Sequence, residues 1–277
     1  MNNYEKLEGM VAATFTPLDE NGDVNLSVID KYADWIASTP IKGVFVCGTT
    51  GEFSSLTIDE RKLILEKWLV SARKRFKVIA HVGSNCQRSA MELARHAAQV
   101  GADAIASIAP SFFKPGTVDE LVDFFAPICH SAAGLPFYYY NMPSITGVNL
   151  PVDKFLVEGK KKIPNLVGTK FTHNNLMEMG VCIELEQHRF EVLHGYDEIL
   201  ISGLAMGAVA GVGSTYNYIP NVYQAIFDSM KMNDLETARH NQIKSIRTVE
   251  VIIKYGGGVR GLSLIHISEP TRHAQIS

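Results

Sequence analysis

Short continuous apolar runs alternate along the chain with longer amphipathic stretches. The runs fall at residues 11–15, 43–47, 78–82, 104–109, 136–140, 166–171, 192–195 and 208–212. Their hydrophobicity is continuous rather than alternating, as parallel strands buried on both faces require. The stretches between them are long enough for crossover helices, and some carry start signals. Thr57 and Glu60 frame a capping box ahead of Leu63, Ile64 and Trp68, and Thr117 and Glu120 stand in the same relation to Leu121, Phe124 and Phe125. Turn-formers precede strands, as in Gly101-Ala102-Asp103 and Gly134-Leu135-Pro136. Eight β-α units in succession predict an α/β fold, a (β/α)8 TIM barrel over residues 1–232. A doubly wound open sheet is the alternative, disfavoured because no G-x-G-x-x-G follows the first strand. Beyond the eighth unit, Leu235, Ala238, Ile243, Ile246, Val249 and Ile253 form a helical stripe, which predicts an additional helix in a C-terminal extension beginning at residue 233.

Composition narrows the class. With 46% hydrophobic and 20% charged residues the chain has ample material for a core and is not disordered. Lysine plus arginine total 26 against 29 acidic residues, a net charge of -3, so the basic footprint of a nucleic-acid or membrane-surface binder is missing and a small-molecule partner is expected. Cys47, Cys86, Cys129 and Cys182 lie far apart without a C-x-x-C pair, which argues against a disulfide framework and fits a reducing cytoplasm. The first residues lack the apolar segment of a signal peptide. The uncharged stretch 199–227 is interrupted by Ser202, Ser214, Asn217, Pro220, Asn221 and Gln224, and its apolar part is too short for a bilayer span.

In a barrel the reactive groups stand at the carboxyl ends of the strands. Lys170 sits in the sixth apolar run, between Val167-Gly168 and Phe171. A lysine in a strand is more often an edge residue that snorkels to water, but a closed parallel barrel has no edge. Burial favours the neutral amine, the nucleophile that Schiff-base chemistry with a keto group needs. The fifth run ends in Tyr138-Tyr139-Tyr140-Asn141, where alternation sends Tyr138 and Tyr140 to one side. Most such tyrosines are core aromatics; Tyr140, last in the strand, is the candidate proton shuttle beside a lysine. Gly48-Thr49-Thr50-Gly51-Glu52 offers two hydroxyls and several backbone N–H groups in a tight turn suited to a carboxylate, although a plain glycine turn reads as well. Gly195-Tyr196-Asp197-Glu198 is either a polar lining or a helix start, and Gly211-Val212-Gly213-Ser214-Thr215 follows the eighth strand, where many barrels bind anionic or hydroxylated substrates. The nine histidines show no H-x-H or H-x-x-x-H spacing, which points away from a metal site. Cys47 fits a small buried hydrophobe better than a reactive thiol.

The motifs Gly48-Thr49-Thr50-Gly51-Glu52, Tyr139-Tyr140-Asn141-x-Pro143, Gly168-Thr169-Lys170, Gly195-Tyr196-Asp197-Glu198 and Gly211-x-Gly213-Ser214-Thr215-Tyr216-Asn217 occur in the order and spacing of one family. The chain resembles the N-acetylneuraminate lyase and dihydrodipicolinate synthase family of pyruvate-dependent class I aldolases over about residues 7–261. Dihydrodipicolinate synthases usually carry an arginine where this chain has Ile145, and Asp197, Glu198 and Ser214 look like the lyase pattern for a polyhydroxyl tail. The resemblance therefore implies reversible retro-aldol cleavage of N-acetylneuraminate, a sialic acid, to pyruvate and N-acetylmannosamine. It implies Lys170 as imine-forming nucleophile and Tyr140 as proton shuttle. Thr49 and Thr50 would hold the substrate carboxylate, and Thr172, Gly195, Asp197, Glu198 and Ser214 the hydroxyl chain. It further implies no metal or cofactor, since the lysine supplies the electron sink, a place in carbohydrate metabolism, and a homotetramer. An aldolase for another 2-keto-3-deoxy acid, a dihydrodipicolinate synthase-like enzyme and a non-catalytic ligand binder are the alternatives; a binder would need neither Lys170 nor Tyr140. Two departures stand out. Phe112-Phe113 occupies the place of a tyrosine that in some relatives reaches a neighbouring subunit. The family also continues beyond Gly261 with further helices, whereas residues 262–277 lack helical periodicity, contain Pro270 and read like translated sequencing adapter, so the extension is expected to be truncated.

Overall fold

The computed structural model describes residues 5–255. Its strands, β1 (Gly9–Ala13), β2 (Gly43–Val46), β3 (Lys77–His81), β4 (Ala104–Ile108), β5 (Phe137–Asn141), β6 (Leu166–Phe171), β7 (Glu191–His194) and β8 (Ala210–Gly213), close in chain order into one barrel. The helices are α1 (Val28–Ala37), α2 (Ile58–Ala72), α3 (Gln87–Val100), α4 (Val118–Ser131), α5 (Pro143–Thr146), α6 (Val152–Lys162), α7 (Leu176–Glu184), α8 (Leu200–Ala205), α9 (Pro220–Lys231) and α10 (Leu235–Lys254). The predicted (β/α)8 barrel is therefore the fold, and the open-sheet alternative falls.

Each apolar run overlaps one strand, β6 alone matching at both ends and the others differing by one or two residues; at two strands the shift has a visible local reason. β8 starts at Ala210 because Gly207, at φ 103°, and the Ala208 N–H bonded to the Gly203 carbonyl at 3.0 Å still belong to the end of α8. β7 starts one residue early at Glu191, whose buried carboxylate accepts from the Leu7 N–H at 2.8 Å and the Tyr138 hydroxyl at 2.9 Å. The capping signals also divide. At α2 both halves of the box form, with Glu60 N–H donating to Thr57 Oγ1 and Thr57 N–H to Glu60 Oε2. At α4 Thr117 caps Glu120, but the Glu120 carboxylate takes the Gly116 N–H at 2.7 Å instead.

The chain falls into two compact units. Unit 1 comprises residues 5–9, 79–196 and 202–212. Its register sets Tyr138 against Gly168 and Tyr140 against Lys170. On the outward face of β5, Phe125 of α4 packs at 5.4 Å from both Phe137 and Tyr139, and Phe155 of α6 at 4.6 Å from Tyr139. Each fully buried ring of this size contributes about 1.5–3 kcal/mol. Unit 2 comprises residues 10–78, 197–201 and 213–255. There Val11 pairs with Gly43, and Trp68 is buried at 5.1 Å from Tyr32 and 6.4 Å from Phe76.

The predicted extra helix is α10, and its apolar stripe is buried only in part: Ala238 is buried, Ile246 and Val249 are half-buried, and Leu235, Ile243 and Ile253 are exposed, while Asn241, Gln242, Ser245 and Ile252 complete the buried face. That face is tolerable because its polar groups are hydrogen-bonded, Asn241 to the Thr237 carbonyl, Gln242 and Ser245 to each other, and Gln242 also to the turn at Asp197. The adapter-like segment 262–277 lies outside the described residues.

Candidate active site

Every predicted site residue stands at or just past the carboxyl end of a strand: Thr49 and Thr50 after β2, Tyr140 in β5, Lys170 in β6 with Thr172 just beyond, Gly195, Asp197 and Glu198 after β7, and Ser214 after β8.

In unit 1 the register partners Tyr140 and Lys170 meet side chain to side chain. Lys170 is 4% exposed, and its Nζ lies 4.1 Å from the centroid of the Tyr140 ring. Cation and aromatic face attract in such a geometry, most strongly where water is excluded. The Tyr140 hydroxyl approaches Met142 Sδ at 3.0 Å, and the imidazole of His81, last in β3, stands edge-on to the same ring at 5.8 Å. The other two tyrosines are structural: Tyr138 ties to Glu191, and Tyr139 fills the layer between α4 and α6. Thr172 lies two residues beyond Lys170, its N–H donating to the Asn141 carbonyl at 2.9 Å. Its Oγ1 is buried with no hydrogen-bond partner among the described residues, an arrangement costly for a hydroxyl unless a ligand satisfies it. Gly195 must be glycine, because a Cβ there would overlap Thr172 Oγ1.

In unit 2 the 48–52 turn is sharply made. Cys47 and Glu52 bracket it in the left-handed region at φ 54° and 53°, conformations costing about 1–3 kcal/mol that the surroundings must hold. Thr16 Oγ1 donates to the Gly51 carbonyl at 2.7 Å, and the Glu52 and Phe53 N–H groups return to the Thr49 and Gly48 carbonyls. Thr49 and Thr50 are half-buried. Beneath the turn, buried Arg61 stacks 5.5 Å from the Phe53 ring; desolvation lowers its pKa to about 10, against the opposing pull of Cys47. Burial pushes the Cys47 thiol up to about 11, in line with the small-hydrophobe reading.

Asp197, also in unit 2, is buried, and its Oδ2 accepts from the Thr215 N–H at 2.8 Å and the Thr215 hydroxyl at 2.6 Å. The same hydroxyl meets Tyr223, whose ring lies 4.6 Å from Tyr216. Burial, and then the charge of Asp197, push both phenols well above their ordinary range, so both stay neutral. Gly213 is required here too, since a Cβ would overlap the Asp197 carboxylate. Glu198 and Ser214 are half-buried, Ser214 opening a 3-10 turn that Asn217 fastens to the Ala13 carbonyl at 2.8 Å. Of the two sequence readings the helix start is seen: Asp197–Ile199 forms a 3-10 turn leading into α8.

Sequence reasoning missed His81, Thr215 and Tyr223. His81 carries the signal that marked Lys170, a polar residue in an apolar strand. Thr215 lies in the motif after the eighth strand, which assigns it no role of its own, and Tyr223 carries no local signal, because Thr215 bonds Asp197 and Tyr223 bonds Thr215 across spacings that the sequence does not reveal.

The model of the dihydrodipicolinate synthetase family matches residues 6–262. The chain belongs to that family. Within the family its relatives are unequal. N-acetylneuraminate lyase of Mus musculus is 42% identical over 258 residues, 92% of this chain and 81% of that protein. The solved N-acetylneuraminate lyase (sialic acid aldolase) from Aliivibrio salmonicida superposes with a TM-score of 0.93 at 36% identity, covering 99% of this chain and 92% of that one. Dihydrodipicolinate synthase from Aquifex aeolicus shares the fold, with a TM-score of 0.87 over 94% of this chain and 88% of that one, at 25% identity.

Proposed function

We propose that this family member is a carbon–carbon lyase that cleaves N-acetylneuraminate reversibly to N-acetylmannosamine and pyruvate through a Schiff base. The observation that carries the proposal is the Lys170 amine held 4.1 Å from the Tyr140 ring inside the barrel. The Lys170 amine adds to the C2 ketone of the open-chain sugar, and loss of water leaves a protonated imine. Tyr140 takes the proton of the C4 hydroxyl, with the substrate carboxylate as a further station. The C3–C4 bond then breaks, its electron pair moves into the imine to give an enamine, and C4 leaves as the aldehyde of N-acetylmannosamine. Protonation at C3 and addition of water release pyruvate and return the amine. The lysine is itself the electron sink, so the scheme uses no metal or cofactor.

Recognition divides by chemistry. Thr49 and Thr50 offer hydroxyls and turn N–H groups to the carboxylate. Thr172, whose buried Oγ1 has no other partner among the described residues, takes a substrate oxygen, and Gly195, Asp197, Glu198 and Ser214 take the hydroxyl chain. Ile145, exposed on α5, offers no cation for the acidic aldehyde of a dihydrodipicolinate synthase. A homotetramer in the cytoplasm completes the proposal, and sedimentation of the purified chain tests its assembly.

The test is pyruvate release from N-acetylneuraminate in a coupled assay, beside condensation of pyruvate with N-acetylmannosamine, aspartate semialdehyde and unsubstituted sugars. Preference for N-acetylmannosamine is the expected result. Preference for another aldehyde would move the assignment to a different 2-keto acid aldolase, and absence of turnover with retained binding would make the protein a binder.

A further inference from the structure

The main chain of the turn that carries Asp197 and Glu198 is tied to α10 by one side chain. Gln242 is 4% exposed, in the middle of that helix. Its Oε1 accepts the Ile201 N–H at 2.8 Å, and its Nε2 donates to the Asp197 carbonyl at 3.0 Å and to Ser245 Oγ at 2.6 Å. Ser245, fully buried, in turn donates to the Gln242 carbonyl at 2.8 Å. The Ile201 N–H belongs to the first turn of α8, where helix geometry leaves donors without intrahelical acceptors. The Asp197 carbonyl lies at the start of the preceding 3-10 turn. One amide thus satisfies a donor and an acceptor four residues apart and fixes the span between them.

An apolar residue would serve α10 better if packing were its only task, because a buried glutamine loses its hydration and regains it only through such bonds. Asp197 is consequently gripped twice within unit 2. Thr215 holds its carboxylate, and Gln242 holds its carbonyl.

We infer that Gln242 is a positioning residue for substrate recognition: through the main chain of Asp197–Ile201 it sets where the Asp197 and Glu198 side chains stand, and so governs affinity for the hydroxylated tail of the substrate while leaving imine formation alone. The inference rests on the proposed role of Asp197 and Glu198 as contacts to that tail. It assigns a recognition role to α10, a helix outside the β-α repeat.

Gln242→Leu tests it. The expected result is a KM for N-acetylneuraminate raised roughly tenfold, the scale of orphaning a buried hydrogen-bonding group, with kcat within about threefold. Pyruvate trapped on Lys170 by borohydride stays at the parental level. In an Asp197→Ala/Glu198→Ala background Gln242→Leu adds no further rise in KM, because the groups it positions are gone. Gln242→Asn, which keeps the amide but shortens its reach, gives a smaller rise of the same kind and decides the matter if Gln242→Leu does not fold. A parental KM in a folded Gln242→Leu, an additive effect in the Asp197→Ala/Glu198→Ala background, or parallel loss of pyruvate trapping overturns the inference. A parent enzyme that traps pyruvate yet does not cleave N-acetylneuraminate overturns the substrate assignment instead, and this inference with it.

Discussion

The two compact units hold their functional side chains by different means. In unit 1 Lys170 and Tyr140 project from adjacent strands as register partners, so the barrel ladder sets their separation and an aromatic layer on α4 and α6 stiffens the strand behind them. In unit 2 Thr49, Thr50, Asp197 and Ser214 stand on turns, two of whose neighbours adopt left-handed backbone, and the carboxylate of Asp197 is steadied by Thr215, Tyr223 and a glycine. Under the proposed function the contrast separates two demands. Bond making needs a fixed distance, which paired strands supply, whereas recognition needs shaped polarity, which turns supply once a supporting layer of hydrogen bonds stops them moving.

The sharpest way to break the contrast is to remove the nucleophile. Lys170→Ala should lower cleavage at least roughly 10⁴-fold, measured as pyruvate release, with the barrel still folded by circular dichroism. Tyr140→Phe should slow cleavage by about 10²–10⁴, the usual scale for losing a positioned acid or base, while still allowing pyruvate to be trapped. A loss of only a few-fold would make Tyr140 a packing residue. On the unit 2 side, Gly213→Ala should push Asp197 aside and raise the KM for N-acetylneuraminate roughly tenfold without affecting trapping; equal loss of both would erase the division between chemistry and recognition.

The smallest effect is expected at Glu191, at the amino end of β7, and it concerns stability alone. Burial raises its pKa above the ordinary carboxylate value, outweighing the opposing hydrogen bonds from Leu7 and Tyr138. The folded chain therefore binds this proton more tightly than the unfolded chain, and stability falls as pH rises from the unfolded carboxylate value through the raised folded one. Glu191→Gln should flatten that part of the Tm-against-pH curve and leave kcat/KM unchanged; an unaltered curve would refute the assignment.

The barrel was legible because strands buried on both faces must be continuously apolar, and Lys170 stood out because a cation has no ordinary place in such a run. Tyr140 was legible from alternation, which puts Tyr138 and Tyr140 on one side, and from its place last in the apolar run; the register that sets it against Lys170 agrees. The inward face of α10 was not: Leu235, Ile243 and Ile253 mark a stripe, yet the buried side carries Gln242 and Ser245, whose burial is tolerable only because of partners remote in sequence. Glu191 and Arg61 were invisible for the same reason, since a charged residue announces exposure until its partners are known.

The central claim is that unit 1 carries covalent chemistry on Lys170. Incubation of the purified protein with pyruvate, reduction with borohydride and peptide mass mapping test it most directly. A three-carbon acid attached to the peptide containing Lys170, absent in Lys170→Ala, is the result expected. An adduct on any other lysine, or brisk cleavage of N-acetylneuraminate with no adduct at all, would contradict it.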